Sequence, residues 1–221
     1  MIITIDGPAG SGKSTTAKNL AKALGISFLD TGATYRAVTY CALQQGADMT
    51  NDAQLAQLAK SLDLKFIETD GNLTVLCDGK DISTEIRTEA VSRNAKFVAT
   101  PASVREVLVT LQRKMGADLG SFVAEGRDQG TVVFPNADFK FYAETPADIR
   151  ATRRVAQLEQ AGQSVDYNQV LADIIARDKS DETREVGPLR KPDDAHIINT
   201  GKLNPQQVVD AMLAIIQPKN Q

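Results

Sequence analysis

Between a short apolar, β-branched run, Met1 to Ile5, and the helix-forming stretch TAKNLAKALG lies DGPAGSGKST, which contains Gly7-x-x-x-x-Gly12-Lys13-Ser14. Glycines at this spacing let the backbone curl so that successive N–H groups converge on phosphate oxygens. Lys13 can then reach the terminal phosphates, and the Ser14 hydroxyl can ligate Mg²⁺. A helix that starts at Lys13 adds the positive end of its dipole. The chemistry is nucleotide binding through the phosphates; the motif does not say what becomes of them.

Other residues bear on that question. Moving a phosphoryl group between two polyanions requires cations that hold both and neutralise the charge in flight. Arginine's planar fork suits phosphate better than lysine's point charge. Arg36, Arg105, Arg127, Arg153, Arg154, Arg177 and Arg184 fall near strand ends and on the later helices. The alternative for such arginines is a solvated face with helix ion pairs, of which Arg177 and Asp181 at i,i+4 would be one. Glu125 ends an apolar strand, either as an acid near Mg²⁺ or as an ordinary strand-end carboxylate. LDTGA, Leu29 to Ala33, resembles the active-site turn of aspartic proteases, but one copy inside an α/β pattern does not make that site. No Asn-Lys-x-Asp guanine-reading segment is present, which disfavours a GTPase switch. The single histidine, His196, falls in a predicted strand and reads as structural.

The elements that must position these groups alternate. Ala17, Leu20, Ala21 and Leu24 form one helix face closed by Gly25. A strand at Ile26–Leu29 leads to Asp30-Thr31-Gly32 and a helix from about Ala33 to Gln45 that carries Tyr35 and Arg36. A helix over Asp52–Leu62 follows. Then Leu64–Thr69, Leu73–Cys77 and Lys80–Arg87, joined at Asp70-Gly71-Asn72 and Asp78-Gly79, read as a three-stranded antiparallel meander inserted at roughly 63 to 90. Thr100-Pro101 predicts a helix start, cap then first-turn proline, with the helix running to about Met115. Strands at Phe122–Ala124, Phe139–Ala143 and His196–Asn199 alternate with helices that start at Thr145-Pro146, Tyr167 and Asn204-Pro205. This is an α/β chain around one insertion.

At 221 residues, 42% hydrophobic and 24% charged, the chain can bury a sizeable core. A net charge of −3 and a pI near 5.3 argue against nucleic-acid or membrane partners. Cys41 and Cys77 lie far apart in sequence and suggest neither a metal cluster nor a disulfide framework. With a first strand at Ile2 and no long apolar run, a cytoplasmic protein without leader or membrane span is expected.

Taken together, GPAGSGKS, LDTGATYR, the β-rich insertion, EGRDQGTVVFP and RDKSDETR resemble the bacterial cytidylate kinases, which are nucleoside monophosphate kinases, nearly end to end. The resemblance implies transfer from ATP to CMP or dCMP in pyrimidine metabolism. It implies a single domain over 1–221 with a five-stranded parallel sheet flanked by helices, a nucleoside-monophosphate-binding insertion at 63–98 and a helical lid at 149–165. Gly7, Pro8, Ala9, Gly10, Ser11, Gly12, Lys13, Ser14 and Thr15 would hold ATP, with Ser14 on Mg²⁺. Arg36 and Arg127 would hold the CMP phosphate; Thr31, Arg177 and Asp181 would address its sugar; Arg105, Asp128 and Arg184 would read cytosine. Lys13, Arg127 and the lid arginines Arg153 and Arg154 would carry the catalysis, in a monomer whose partners are its small-molecule substrates. The β-rich insertion argues against shikimate kinases and the short UMP/CMP kinases. Two departures stand out: the family usually has Asp-Gly-Arg-Asp where this chain has Glu125-Gly126-Arg127-Asp128, and a hydrophobic residue at Gln129.

Overall fold

The computed structural model describes residues 1–69 and 72–217. Five strands form one sheet in the order β2-β6-β1-β7-β8. They are β1 (Ile2–Asp6), β2 (Ser27–Asp30), β6 (Phe122–Gly126), β7 (Phe139–Glu144) and β8 (His196–Asn199). β1 runs parallel to β7 with Ile3 opposite Phe139, and β7 runs parallel to β8 with Phe141 opposite His196. Ile3, Thr4, Ile5 and Asp6 are all without exposure. Burial on both faces explains why β1 reads as a continuous apolar run.

The chain divides into two compact units, one of Met1–Ile26 with the chain from Val123 onward, the other of Ser27–Phe122. The first holds α1 (Lys13–Leu24), α6 (Ala147–Gln160), α7 (Tyr167–Thr183) and α8 (Pro205–Ile216). Ala17, Leu20 and Ala21 of α1 are buried, as their spacing predicts. α8 starts with a complete capping box between Asn204 and Gln207, followed by Pro205 in the first turn.

The second unit holds α2 (Thr31–Gln44), α3 (Asp52–Ser61), β3 (Leu64–Thr69), β4 (Asn72–Cys77), β5 (Lys80–Asp81), α4 (Glu89–Ala99) and α5 (Ala102–Leu119). β3, β4 and β5 make the antiparallel sheet expected from the sequence. Asp78 (φ 51) and Gly79 (φ 80) form the β4–β5 turn, both in the left-handed region that two-residue hairpins require. Of the other turn, Asp70 and Gly71 lie outside the described residues.

Three expectations change here. The third strand, expected over Lys80–Arg87, stops at Asp81, because Asp81 accepts from the Ser83 N–H at 2.9 Å and turns the chain into a 3-10 turn, Glu85–Arg87. Helix α4 was not expected, although Val91, Ala95 and Val98 stand at i, i+4 and i+7 along it and both valines are buried. Pro101 caps α5 rather than entering its first turn, since the Thr100 hydroxyl donates back to the Lys96 carbonyl at 2.9 Å and is committed to α4.

The fold also brings the two cysteines together. Cys41 of α2 and Cys77 of β4 are free and buried with Sγ atoms 3.1 Å apart. Burial pushes both thiols up, Cys41 further through its neighbour Cys77. Thiolate is the reactive form, so neither cysteine should be alkylated by iodoacetamide at neutral pH until denaturant is added; mass spectrometry before and after unfolding checks this.

Candidate active site

In the first unit the phosphate loop runs from the end of β1 into α1. Gly7 (φ 151) passes so close to β7 that a Cβ there would run into the Ala143 carbonyl oxygen. Gly12 (φ 85) caps α1 in the left-handed conformation and supplies no side chain to the helix start, so the first N–H groups remain available for an anion. The Lys13 ammonium folds over the loop, donating to the Pro8 carbonyl at 2.6 Å and the Ser11 hydroxyl at 3.3 Å. Burial, with the Arg127 guanidinium nearby, pushes Lys13 down to about 7. The Ser14 hydroxyl donates to Glu125 Oε1 at 2.6 Å. Glu125 thus sits beside the loop serine rather than merely ending β6.

A second cluster in the same unit gathers four of the residues expected to meet the acceptor. Arg127 donates through Nε to Asp181 on α7 at 2.8 Å. Arg184, just past the end of α7, lies 3.9 Å from Asp128 and 4.0 Å from Asp181 and donates to the Gly187 carbonyl at 2.6 Å. Burial alone would push the Asp181 carboxyl up, but Arg127, Arg177 and Arg184 outweigh it and hold the group below its ordinary value. Arg177 is exposed, one turn before Asp181.

The depressed Asp181 carboxyl predicts an acid signature. A carboxylate that is more acidic folded than unfolded contributes stability above its unfolded value and loses it as pH falls through the folded value. Asp181→Asn should therefore cost about 1.5–3 kcal/mol at neutral pH, and the difference from the parent should begin to shrink as pH drops toward 3.8 and vanish only below the lower folded value. Urea unfolding of both proteins across that range measures it.

The arginine that touches the phosphate loop is Arg150 of α6, which the sequence analysis did not single out. Its side chain is 4% exposed and donates to both Asp178 oxygens, at 3.0 and 2.5 Å, to the Ala9 carbonyl at 3.1 Å and to the Thr145 carbonyl at 2.9 Å. Arg153 donates to the Thr200 carbonyl at 2.8 Å, and the Thr200 hydroxyl donates to the Ser11 carbonyl at 2.8 Å. Arg154 is exposed on α6. Asp6 was likewise passed over; its carboxylate accepts from the Gln129 and Gly130 N–H groups. The Arg150–Ala9 contact spans 141 positions and the Asp6 contacts 123 and 124, so no local spacing could have announced them.

In the second unit, Asp30 caps α2 by accepting from the Ala33 N–H at 3.0 Å and pairs with Arg36 at 2.8 Å. The LDTGA aspartate is thus a helix cap and an arginine anchor. Thr31 is buried, its carbonyl accepting from the Thr34 hydroxyl, which in turn accepts from Gln112 of α5, both at 2.8 Å. Arg105 of α5 is 1% exposed with its guanidinium 5.6 Å from the Tyr35 ring centre, a cation–π arrangement.

A phosphate loop leading out of the central strand of a parallel sheet, with a strand-end carboxylate on its serine, is the site of a P-loop nucleotide-binding protein. Two solved structures share the fold: TT1252 from Thermus thermophilus (TM-score 0.51, 17% identity, covering 100% of this chain and 98% of that one). The other is an uncharacterized protein from Eubacterium ventriosum (TM-score 0.55, 15% identity, 99% of each chain). The family model described as cytidylate kinase matches residues 3–218, and the chain belongs to that family. Curated relatives agree: cytidylate kinase 1 of Haemophilus influenzae is 44% identical over 98% of this chain and 94% of that protein. The cytidylate kinase of Klebsiella pneumoniae is 43% identical over 99% and 96%.

Proposed function

We propose that the protein moves the γ-phosphoryl group of ATP to CMP or dCMP, giving ADP and CDP or dCDP, in pyrimidine nucleotide metabolism. The observation that carries this is membership of the cytidylate kinase family along the whole chain. The 2.6 Å bond from Ser14 to Glu125 supports the donor side.

The acceptor of this reaction is a phosphate oxygen, already ionised near neutral pH because a phosphate monoester's second pKa is about 6. It attacks the γ-phosphorus while the bond to the β–γ bridging oxygen breaks, and the electron pair leaves on ADP. No side chain needs to remove a proton. The protein's part is to hold, orient and neutralise. Residues Gly7 to Thr15 hold the ATP phosphates with loop N–H groups, and Lys13 turns its ammonium from the Pro8 carbonyl to the β- and γ-oxygens. Arg127 and Arg36 hold the CMP phosphate. Thr31, Arg177 and Asp181 address the sugar, and Arg105, Asp128 and Arg184 the base. Residues 63–98 form the monophosphate-binding insertion, and residues 149–165 form a lid whose Arg153 and Arg154 meet the ATP phosphates, excluding water that would compete for the phosphoryl group.

Mg²⁺ fits the oxygen donors at Ser14 and Glu125, hard ligands of the kind it prefers. Bound with ATP, it would neutralise charge on the phosphate oxygens. Among the described residues no three His, Cys, Asp or Glu side chains gather as a metal-holding group. Among the described residues, too, no helix is long and apolar enough to cross a membrane. We take the enzyme to be a cytoplasmic monomer with no nucleic-acid or membrane partner, which gel filtration and cell fractionation would check.

The decisive assay measures ADP made from Mg²⁺–ATP with CMP, dCMP, UMP, AMP, dTMP or shikimate. CMP and dCMP should raise ADP well above background. No response to any acceptor overturns the kinase assignment, and equal rates with UMP overturn the cytosine assignment.

A further inference from the structure

We propose that Asp6 is a positioning residue for base selection: its carboxylate fixes the turn that follows Asp128, and so fixes Asp128 itself. The role holds only if Asp128 meets cytosine, as proposed above.

Asp6 is the last residue of β1, next to the phosphate loop, and has no exposure. Each carboxylate oxygen accepts one backbone N–H: Oδ1 from Gln129 at 2.8 Å, Oδ2 from Gly130 at 2.7 Å. These N–H groups open the π-helical turn Gln129–Val133, where the first donors of a helical segment lack partners within it. The turn then closes back on its own start, because the Val132 and Val133 N–H groups both donate to the Asp128 carbonyl, at 2.9 and 3.1 Å. Asp128 is thereby held by a turn that is itself clamped to β1. Packing leaves the turn little freedom: a Cβ on Gly130 would lie 2.9 Å from the Thr4 hydroxyl of β1 and 3.0 Å from Pro192.

Stability alone is a poor reason for a carboxylate here. Burial pushes Asp6 up to about 7 against its two N–H donors, with the Asp128 charge adding to the rise, so its ionised form costs the fold free energy. What the carboxylate provides, and a neutral side chain cannot, is two acceptors side by side for two adjacent amides. Asn at this position keeps one acceptor and turns an NH₂ against the other N–H.

Asp6→Asn should lower the ratio of kcat/KM for CMP to that for UMP roughly tenfold, since small displacements of a recognition group carry losses of up to about a hundredfold, with the circular dichroism spectrum of the parent. Asp128→Asn is measured alongside. A fall in both variants supports the proposal. A fall in Asp128→Asn alone, or an equal loss with both acceptors in Asp6→Asn, overturns the role of Asp6 and leaves the cytosine assignment standing. No fall in either removes the cytosine assignment, and the inference with it. If Asp6→Asn does not fold, Gly130→Ala reaches the same turn from its far side by crowding Thr4 and Pro192. It too should lower the ratio, and an unchanged ratio overturns the proposal.

Discussion

Lys13→Ala should reduce kcat on the order of a hundred- to a thousandfold, the cost of removing one aimed donor from a developing oxyanion. The ammonium is held over the loop at 2.6 Å from the Pro8 carbonyl, so it needs only a short swing to reach phosphate oxygens at the helix start. The structure buries Lys13, and this gives the reason the variant should still fold. A buried ammonium already pushed down to about 7 costs the protein desolvation free energy, and alanine removes that cost. The thermal midpoint should therefore stay close to the parent's while single-turnover rates collapse. Unchanged single-turnover rates would remove Lys13 from the chemistry, and a collapsed midpoint would give it a structural role instead.

The second large effect concerns the base. Cytosine presents an exocyclic amine donor beside the N3 and O2 acceptors, whereas uracil has O4 in place of the amine. An acceptor-only carboxylate beside a guanidinium complements the first and repels the second. Asp128, 3% exposed, lies 3.9 Å from Arg184 and offers that pair. Asp128→Asn keeps the shape but adds a donor. The preference for CMP over UMP should fall by about 1–3 kcal/mol, roughly 5- to 150-fold in the kcat/KM ratio. An unchanged ratio would falsify the assignment of Asp128 to the base.

How legible these features were in the sequence follows the range of the contacts that make them. Gly7 to Ser14, the Asp78-Gly79 turn and the Asn204–Gln207 cap are decided by neighbours a few residues away, and the structure has each where its spacing put it. Helix α4 was missed although Val91, Ala95 and Val98 stand at helical spacing, because its one short stripe follows directly on the β-rich insertion, and β5 was overdrawn because an Asp81–Ser83 turn replaces the ladder. The site divides in the same way. Arg127, Asp128, Asp181 and Arg184 are met in one cluster. Arg150 on the Ala9 carbonyl, Asp6 on the Gln129 and Gly130 amides, and the Cys41–Cys77 contact all arise from chain closure. Periodicity carries no trace of such closure.

The bond from Ser14 to Glu125 has a further consequence. A hydroxyl has one proton and two lone pairs. By spending its proton on Glu125, Ser14 keeps only lone pairs to show toward the loop. The N–H groups at the start of α1 and the Lys13 ammonium, by contrast, are donors. The loop is therefore polarised by chemical type: one wall accepts anions, one point accepts a cation. The Glu125 carboxylate, by taking that proton, enforces the division.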